Sequence, residues 1–285
     1  NLVFLLKPTA FEISEVVIKP KREKYTRKDN PAVELIKNVI AHKNDNRIEA
    51  KPEYQTEVYE KLSLSLDNFN PNLDKNKFLK KFKFIKNYLD TSEFNGKPIL
   101  TVSVRENLSD FYYRKSPKTE KTIVRAKRMQ GIDKSLDDGG GITSNLEEIF
   151  KSVNIFDNNI PILLNRFVSP LSSTLATTYY HYYIMDTLDI GGDKCVDLAF
   201  VPANSESYGF TGRLYITLDG NYAVKKVLLN TPANINLNWV DKLRIEQEFK
   251  RMPDSTWVID QENTFVNFDV VKGTQQLYAH QLRNY

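Results

Sequence analysis

The second half of the chain alternates between apolar and polar residues with the two-residue period of a β-strand. Four runs dense in aromatic and β-branched residues span 179–185, 195–200, 209–216 and 222–229. Gly191 and Gly192 separate the first two runs, and Asp219, Gly220 and Asn221 separate the last two. Strand-like runs cut by such tight-turn residues predict an antiparallel meander.

Other segments show the same period. Further strands are predicted at 12–18, 55–66, 99–104, 110–113, 243–249, 257–269 and 275–282. A polar turn is expected between 99–104 and 110–113, and another turn at 166–171. The total is roughly ten strands.

Three segments have helical spacing instead. Asn30 followed by Pro31 predicts a helix start, and Val33, Ile36, Val39 and Ile40 continue it to about residues 42–45. An amphipathic helix is predicted at 77–89, and another at 144–153, where Ser144 and Glu147 form a capping-box pattern.

Helices early in the chain and short-turn strands late in it predict an α+β fold. We expect a curved antiparallel half-barrel sheet with helices packed on its concave side, because curvature around helices buries one face of long strands.

Composition fits a globular domain of 285 residues, with 41% hydrophobic and 27% charged residues. Forty Lys and Arg against 36 Asp and Glu give a net charge of 40 − 36 = +4, which demands no polyanionic partner. The single cysteine, Cys195, excludes an internal disulfide, and its place in a strand pattern indicates a small buried hydrophobe. Both ends have a strand-like pattern, so we expect them to be cuts in a longer protein.

The most basic stretch is 114–128, with seven Lys or Arg and one Glu, next to Tyr112 and Tyr113. Basic residues interleaved with aromatic ones can bind single-stranded nucleic acid. Paired strands with one solvated face have the same composition, and we expect no nucleic-acid partner.

No motif of catalysis or metal binding stands out. The three histidines, His42, His181 and His280, form no His-x-x-x-His pair, and neither Gly-x-Ser-x-Gly nor Cys-x-x-Cys occurs. Asp186, Asp189 and Asp193 flank the Gly-Gly turn and could hold calcium, but turns favour Asp for backbone reasons. We therefore expect a non-enzyme with no catalytic residue, no metal site and no cofactor.

The aromatic ladder of the first run supplies the candidate ligand contacts. Tyr180, Tyr182 and Ile184 share one strand face, and Leu214 and Ile216 follow the same period in the third run. These five side chains form either the wall of a ligand cavity or ordinary core. His181 lies on the opposite face with Tyr183, where we expect an aromatic ladder.

Three phrases together resemble a known family. They are Arg27-Lys-Asp-Asn-Pro-Ala-Val-Glu-Leu-Ile36, Arg166-Phe-Val-Ser-Pro-Leu171 and Phe210-Thr-Gly-Arg-Leu-Tyr-Ile216 followed by Tyr222-Ala-Val224. They resemble a Bacteroidota family of unknown function, in which a carboxypeptidase-regulatory-like β-sandwich precedes this region and an outer-membrane β-barrel follows it. The resemblance runs from about Val16 to the end of the chain.

This resemblance implies a domain organisation. Residues 1–18 would be the end of the preceding β-sandwich or a connecting strand, 19–30 a basic linker, and 31–285 a single domain cut before the barrel. The 209–216 strand and its hairpin partner also resemble, at the level of fold, lipoprotein carriers of the LolA and LolB type.

The resemblance further implies a place on the periplasmic side of the outer membrane. Its partners would be the barrel of the same chain and a lipid, lipoprotein or periplasmic protein, bound for transport or envelope assembly. The alternative is a purely structural or protein-interaction module with a filled core and no ligand.

Overall fold

The computed structural model describes residues 25–67, 89–131, 149–162, 165–235, 237, 239–268 and 277–285. The described elements, in chain order, are α1 (Pro31–His42), a 3-10 turn (Ile48–Ala50), β1 (Glu53–Leu66), β2 (Leu89–Thr91), β3 (Pro98–Arg114), β4 (Thr119–Gly131), β5 (Asn159–Ile162), β6 (Asn165–Val168), α2 (Ala176–Tyr179), β7 (Tyr180–Ile190), β8 (Asp193–Pro202), β9 (Thr211–Thr217), β10 (Val224–Asn230), β11 (Val240–Arg251), β12 (Trp257–Phe268) and β13 (Leu277–Asn284).

Eleven of these strands form one antiparallel sheet. Its order is β2-β3-β1-β13-β12-β11-β10-β9-β8-β7, and β4 pairs with β3 on the side away from β1. The run from β7 to β13 is a meander, as the sequence predicted, and its last strand pairs with β1. The result is an open, curved sheet with few helices, broadly consistent with the expected α+β class although helix packing is minor.

Helix α1 is confirmed and packs against the sheet. The Asn30 side chain accepts a hydrogen bond from the backbone amide of Ala32 at 2.9 Å, and Pro31 occupies the first turn. Ala32, Ile36 and Val39 are buried in the main apolar core, and the helix contacts β7.

The prediction of two strands at 99–104 and 110–113 is wrong, because β3 is continuous from Pro98 to Arg114. The polar residues taken for a turn pair across the sheet instead. Glu106 accepts a 2.6 Å hydrogen bond from the Tyr59 hydroxyl, and Asn107 pairs in register with Lys127 of β4. A long strand with partners on both sides tolerates polar residues that a sequence pattern assigns to a loop.

The turn predicted at 166–171 begins as a strand. Residues Asn165–Val168 form β6, which pairs with β5 in a separate two-stranded sheet. Phe167 and Val168 are buried in the main core, and this burial outweighs the turn signal of Ser169 and Pro170.

Other predictions are only partly covered by the described residues. The segments 12–18 and 77–88 lie outside them, and of the helix predicted at 144–153 only residues from Ile149 onward are described. The chain is no longer helical after Ile149, so the predicted helix ends four residues earlier than residue 153. Within the described residues no helix is both long and apolar enough to cross a bilayer.

Candidate functional site

The two strands beside β13 extend past Asn284, the penultimate residue of the 285-residue sequence, and leave a gap between them in the described part of the sheet. Asn284, the last residue of β13, lies opposite Tyr59 of β1 and Gln261 of β12. The flanking strands continue, β1 back to Glu53 and β12 back to Trp257. Because neighbouring strands lie about 4.8 Å apart, the two flanks are about 10 Å apart where β13 separates them. The gap is therefore about one strand wide where it begins.

A cleft of about 1110 Å³ occupies this gap and the adjoining face of β1, β3 and β4. It exceeds the range of about 300–1,000 Å³ that is typical of small-molecule sites. Its lining combines apolar, hydroxyl and charged side chains, among them Tyr54, Thr56, Val58, Phe111, Tyr113 and Val258.

Aromatic side chains form the floor of the cleft. The Tyr54 ring stacks on Tyr113 with centroids 4.9 Å apart and lies 6.0 Å from Phe111. Strand register causes this grouping, because Tyr54 is paired with Tyr113 and Thr56 with Phe111 across β1 and β3. The floor offers an apolar surface with hydroxyl groups at its edge.

The end of the cleft nearest the start of β1 is closed by contacts between turns. The Lys51 ammonium pairs with Asp254, in the β11–β12 turn, at 3.0 Å. The Asn154 side-chain amide donates to Glu49 at 3.0 Å and so ties the segment after Phe150 to the 3-10 turn. These contacts therefore close the gap on the side away from β13.

A buried polar row borders the other end. Glu60, Arg283, Glu262 and Gln247 are directly opposite one another across β1, β13, β12 and β11. The Arg283 guanidinium lies 2.6 Å from both Glu60 and Glu262 and also donates to the carbonyl of Phe150. Arg283 is 8% exposed and Glu262 1%, so water screens this charge network very little.

The polar row also forms hydrogen bonds with residues 152–153, which line the cleft. The Gln247 side-chain amide donates to the Val153 carbonyl at 2.6 Å, and the Val153 amide donates to Glu262 at 3.3 Å. Ser152 and Tyr285 share a hydrogen bond of 2.9 Å between their hydroxyls. The polar row therefore holds two parts of the structure in place: Arg283 near the end of β13, and residues 152–153.

Burial shifts the protonation of the cleft residues. It raises the pKa of the Tyr54 hydroxyl, which the negative charge of Glu49 raises further, and it raises the pKa of the Glu49 carboxyl. Burial lowers the pKa of Arg283, but its carboxylate neighbours outweigh this and hold that pKa above the ordinary value. Tyr54 is therefore a neutral hydrogen-bond donor and Arg283 a permanent cation near neutral pH.

The five predicted ligand contacts lie elsewhere. Tyr180, Tyr182, Leu214 and Ile216 are fully buried in the main core. The Tyr182 hydroxyl donates to the Pro170 carbonyl at 2.7 Å, and the Tyr180 hydroxyl accepts from the Phe210 amide at 3.1 Å. Ile184 is 45% exposed, near a register shift in β7. None of the five lines the cleft, and their contact with a ligand stays a prediction.

His181 takes part in a different contact. Its ring stacks on Tyr25 with centroids 3.9 Å apart, and Tyr183 lies edge-on to the same tyrosine. The Tyr25 hydroxyl also accepts a hydrogen bond from the Tyr182 amide at 3.0 Å. Tyr25 thus extends the predicted aromatic ladder on this face of β7. It belongs to the segment 19–30, which was expected to be a linker.

The carboxylates of the acidic turn bond within the protein, and the cysteine is buried. Asp189 accepts a hydrogen bond from the Gly192 amide at 2.8 Å, and Asp193 pairs with Lys225 at 2.9 Å. Across the described ranges no group of three or more His, Cys, Asp or Glu is placed to hold a metal ion. Cys195 is buried, which raises the pKa of its thiol to about 11.

Comparison of the sequence with known families gives one match. Residues 35–285 match the model of a family described as a family of unknown function (DUF5686). The chain belongs to this family. No curated protein sequence matches it significantly.

Solved structures resemble this DUF5686 domain only distantly. A LolA superfamily protein from Nitrosomonas europaea aligns at a TM-score of 0.31 and 6% identity, over 88% of this chain and 91% of the other. A DUF1329 family protein from Desulfovibrio piger aligns at 0.28 and 8%, over 90% and 92%. MucB in the Pseudomonas aeruginosa MucA/MucB complex aligns at 0.24 and 9%, over 87% and 93%. Likenesses this weak support no assignment of fold or function.

Proposed function

We propose that this domain is a non-enzymatic binding domain whose ligand occupies the cleft beside β1. The ligand would be an elongated amphiphilic group, such as a lipid, the lipid-modified segment of a lipoprotein or a segment of a protein. Its place would be the periplasmic side of the outer membrane, joined to a barrel in the same longer chain and serving transport or envelope assembly. The family resemblance motivates that setting, and the cleft motivates the binding role.

The cleft is the observation that carries this proposal. Its volume of about 1110 Å³ exceeds what a small metabolite needs, and its lining places an aromatic floor beside charged side chains. An amphiphile matches this arrangement because its apolar part can cover Tyr54 and Phe111 while its polar part meets Lys115 or Lys250 at the rim.

A structural or protein-interaction module is the second candidate. The observation that favours it is the filled core around the aromatic ladder, where the four buried ligand candidates already contact protein groups. On this alternative the cleft would have no ligand of its own.

Binding of a fluorescent long-chain acyl probe tests the proposal. Thr56 faces the cleft from β1, and the Thr56→Trp change puts a bulky ring into the ligand volume. We expect wild-type protein to bind the probe and Thr56→Trp to bind it at least tenfold more weakly.

Lys61→Trp is the matched control, because Lys61 lies on the same strand but on the opposite face. It should bind the probe like wild type. Equal affinity for all three proteins would exclude the cleft as the binding site.

A further inference from the structure

We propose that Arg47 binds a negatively charged headgroup, so that the cleft takes an anionic amphiphile. This inference rests on the proposed function, because Arg47 lines the same cleft. It narrows the class of ligand from amphiphiles in general to those whose polar end is a carboxylate or a phosphate. It also places that polar end at the start of the 3-10 turn that precedes β1, instead of at the rim lysines.

The first argument is an unsatisfied donor. The Arg47 side chain is partly buried, and its Nε atom, which is shielded from solvent, has no hydrogen-bond partner in the part of the chain that the structure describes. The rim lysines differ in this respect. Lys115 donates to the Ala50 carbonyl at 3.2 Å, and Lys250 pairs with Asp260 at 2.5 Å. A buried guanidinium donor without an acceptor is costly, and a ligand oxygen would remove that cost.

The second argument is a buried cation next to Arg47. Burial and the positive charge of Arg47 both lower the pKa of the Lys43 ammonium, so the two cations lie close together. The Lys43 ammonium donates to the carbonyls of Phe156 and Leu171 at 2.9 and 3.0 Å. Carbonyl groups satisfy its hydrogen bonds but do not neutralise its charge. The charge of Lys43 therefore adds to that of Arg47 in attracting an anion.

The acidic side chains nearby oppose this attraction only weakly. Burial raises the pKa of the Glu49 carboxyl, which favours its neutral form, although the Arg47 charge partly offsets the shift. Asp157 is exposed, so solvent screens its charge. Glu120 pairs with Lys118 at 3.2 Å, and these two charges cancel each other. The charge balance at this end of the cleft therefore favours a negative group.

The third argument is the position of Arg47 relative to the aromatic floor. Burial and the negative charge of Glu49 raise the pKa of the Tyr54 hydroxyl, so Glu49 lies near Tyr54 as well as near Arg47. A headgroup bound by Arg47 therefore leaves its attached chain next to the floor. The Tyr54 and Phe111 rings would cover the apolar part of that chain.

Parinaric acid and its methyl ester test this inference, because these fluorescent probes share one acyl chain and differ only in the charged carboxylate. We expect wild-type protein to bind the acid at least tenfold more tightly than the ester, since hydrogen bonds between charged groups are the stronger kind. Arg47→Met should lower the affinity for the acid to that for the ester and leave the ester affinity unchanged. Arg128→Met is the matched control, because Arg128 is exposed on β4 and does not line the cleft, and it should bind both probes like wild type.

The Glu49→Gln variant should change binding in the opposite direction, which a loss of structure would not produce. It removes a negative charge close to Arg47 and keeps an acceptor for Asn154, so the acid should bind roughly threefold more tightly. Weaker binding of the acid by this variant would overturn the inference.

The same two probes separate this inference from the proposed function. Equal affinity of wild-type protein for the acid and the ester would overturn the role of Arg47 and leave the proposed function standing. An Arg47→Met variant that still prefers the acid would do the same. Binding of neither probe to wild-type protein would overturn both.

Competition against bound parinaric acid identifies the source of the anion. Stronger competition by dodecyl phosphate than by dodecanoate would assign the headgroup to a phosphate-bearing lipid, and the reverse order would assign it to a free fatty acid. Dodecyltrimethylammonium carries the same chain and the opposite charge. Competition by this cation as strong as that by either anion would overturn the inference.

Discussion

Arg283 connects the cleft to the stability of the domain. Its guanidinium neutralises Glu262, which is almost wholly buried between β11 and β13, and it shares Glu60 at the border of the cleft. Removing one partner of a buried pair leaves the other charge in a medium that solvates it poorly, and the loss exceeds what the intact pair contributed.

We therefore expect Arg283→Met to lower the free energy of unfolding by about 3–5 kcal/mol. Arg128→Met is the control, because Arg128 is solvent-exposed and lies 3.8 Å from Glu106, and it should cost about 0–1 kcal/mol. Urea unfolding monitored by circular dichroism measures both values. Similar losses in the two variants would contradict the role given to the polar row.

His280 makes the stability of the domain depend on pH. Burial lowers its pKa from 6.5 to about 4, and its ring stacks on Phe265 and donates to Asn263 at 2.8 Å. The unfolded chain takes up the proton first as pH falls, so stability is complete above pH 6.5 and is lost between pH 6.5 and pH 4. The loss is up to about 3 kcal/mol, from 1.36 kcal/mol per pKa unit.

The His280→Gln variant keeps a donor for Asn263 and has no titrating ring. We expect the free energy of unfolding to fall by about 2–3 kcal/mol more in wild type than in this variant between pH 7 and pH 4. Equal falls would show that His280 is not the responsible group.

At the scale of single elements, the packing of β9 against β10 explains why the phrase from Phe210 to Ile216 contains Gly212. A Cβ atom at Gly212 would overlap the Leu228 carbonyl oxygen and approach the Phe200 ring. Gly212 thus lets two neighbouring strands pack closely at a position where any side chain would force them apart.

Gly212→Ala should destabilise the domain by about 1–3 kcal/mol, the usual cost of overpacking. Amide exchange at residues 224–230 of β10 should accelerate, since the pairing with β9 loosens first. Unchanged stability and unchanged exchange would mean that the two strands can separate without cost.

The elements differ in how well a local sequence pattern predicts them. The meander and α1 were predictable because their apolar periods agree with their turn and cap residues. The continuity of β3 was not predictable from the sequence. Arg105, Glu106 and Asn107 pair with residues of β1 and β4, and a local pattern does not show this pairing. The same long-range pairing neutralises part of the basic stretch, where Arg125 pairs with Glu57 and Asp110.

At the scale of the whole molecule, the cleft is lined by strands that lie far apart in sequence. The sequence places Thr56, Val58 and Glu60 on one face of a strand, but it does not reveal that Tyr59 pairs with Asn284 of β13. This register is set by pairing between residues more than 200 positions apart, and no local pattern determines it. The aromatic residues Tyr180 and Tyr182 were the stronger local signal, and both are buried in the main core.

Native mass spectrometry of the domain purified from a bacterial envelope tests the central claim, that the cleft binds a ligand, most directly. We predict that the wild-type 285-residue chain carries one additional mass at 1:1 stoichiometry. The Thr56→Trp variant should lose this mass, and Lys61→Trp should keep it. A bare wild-type chain, or an additional mass that all three proteins retain equally, would contradict the account.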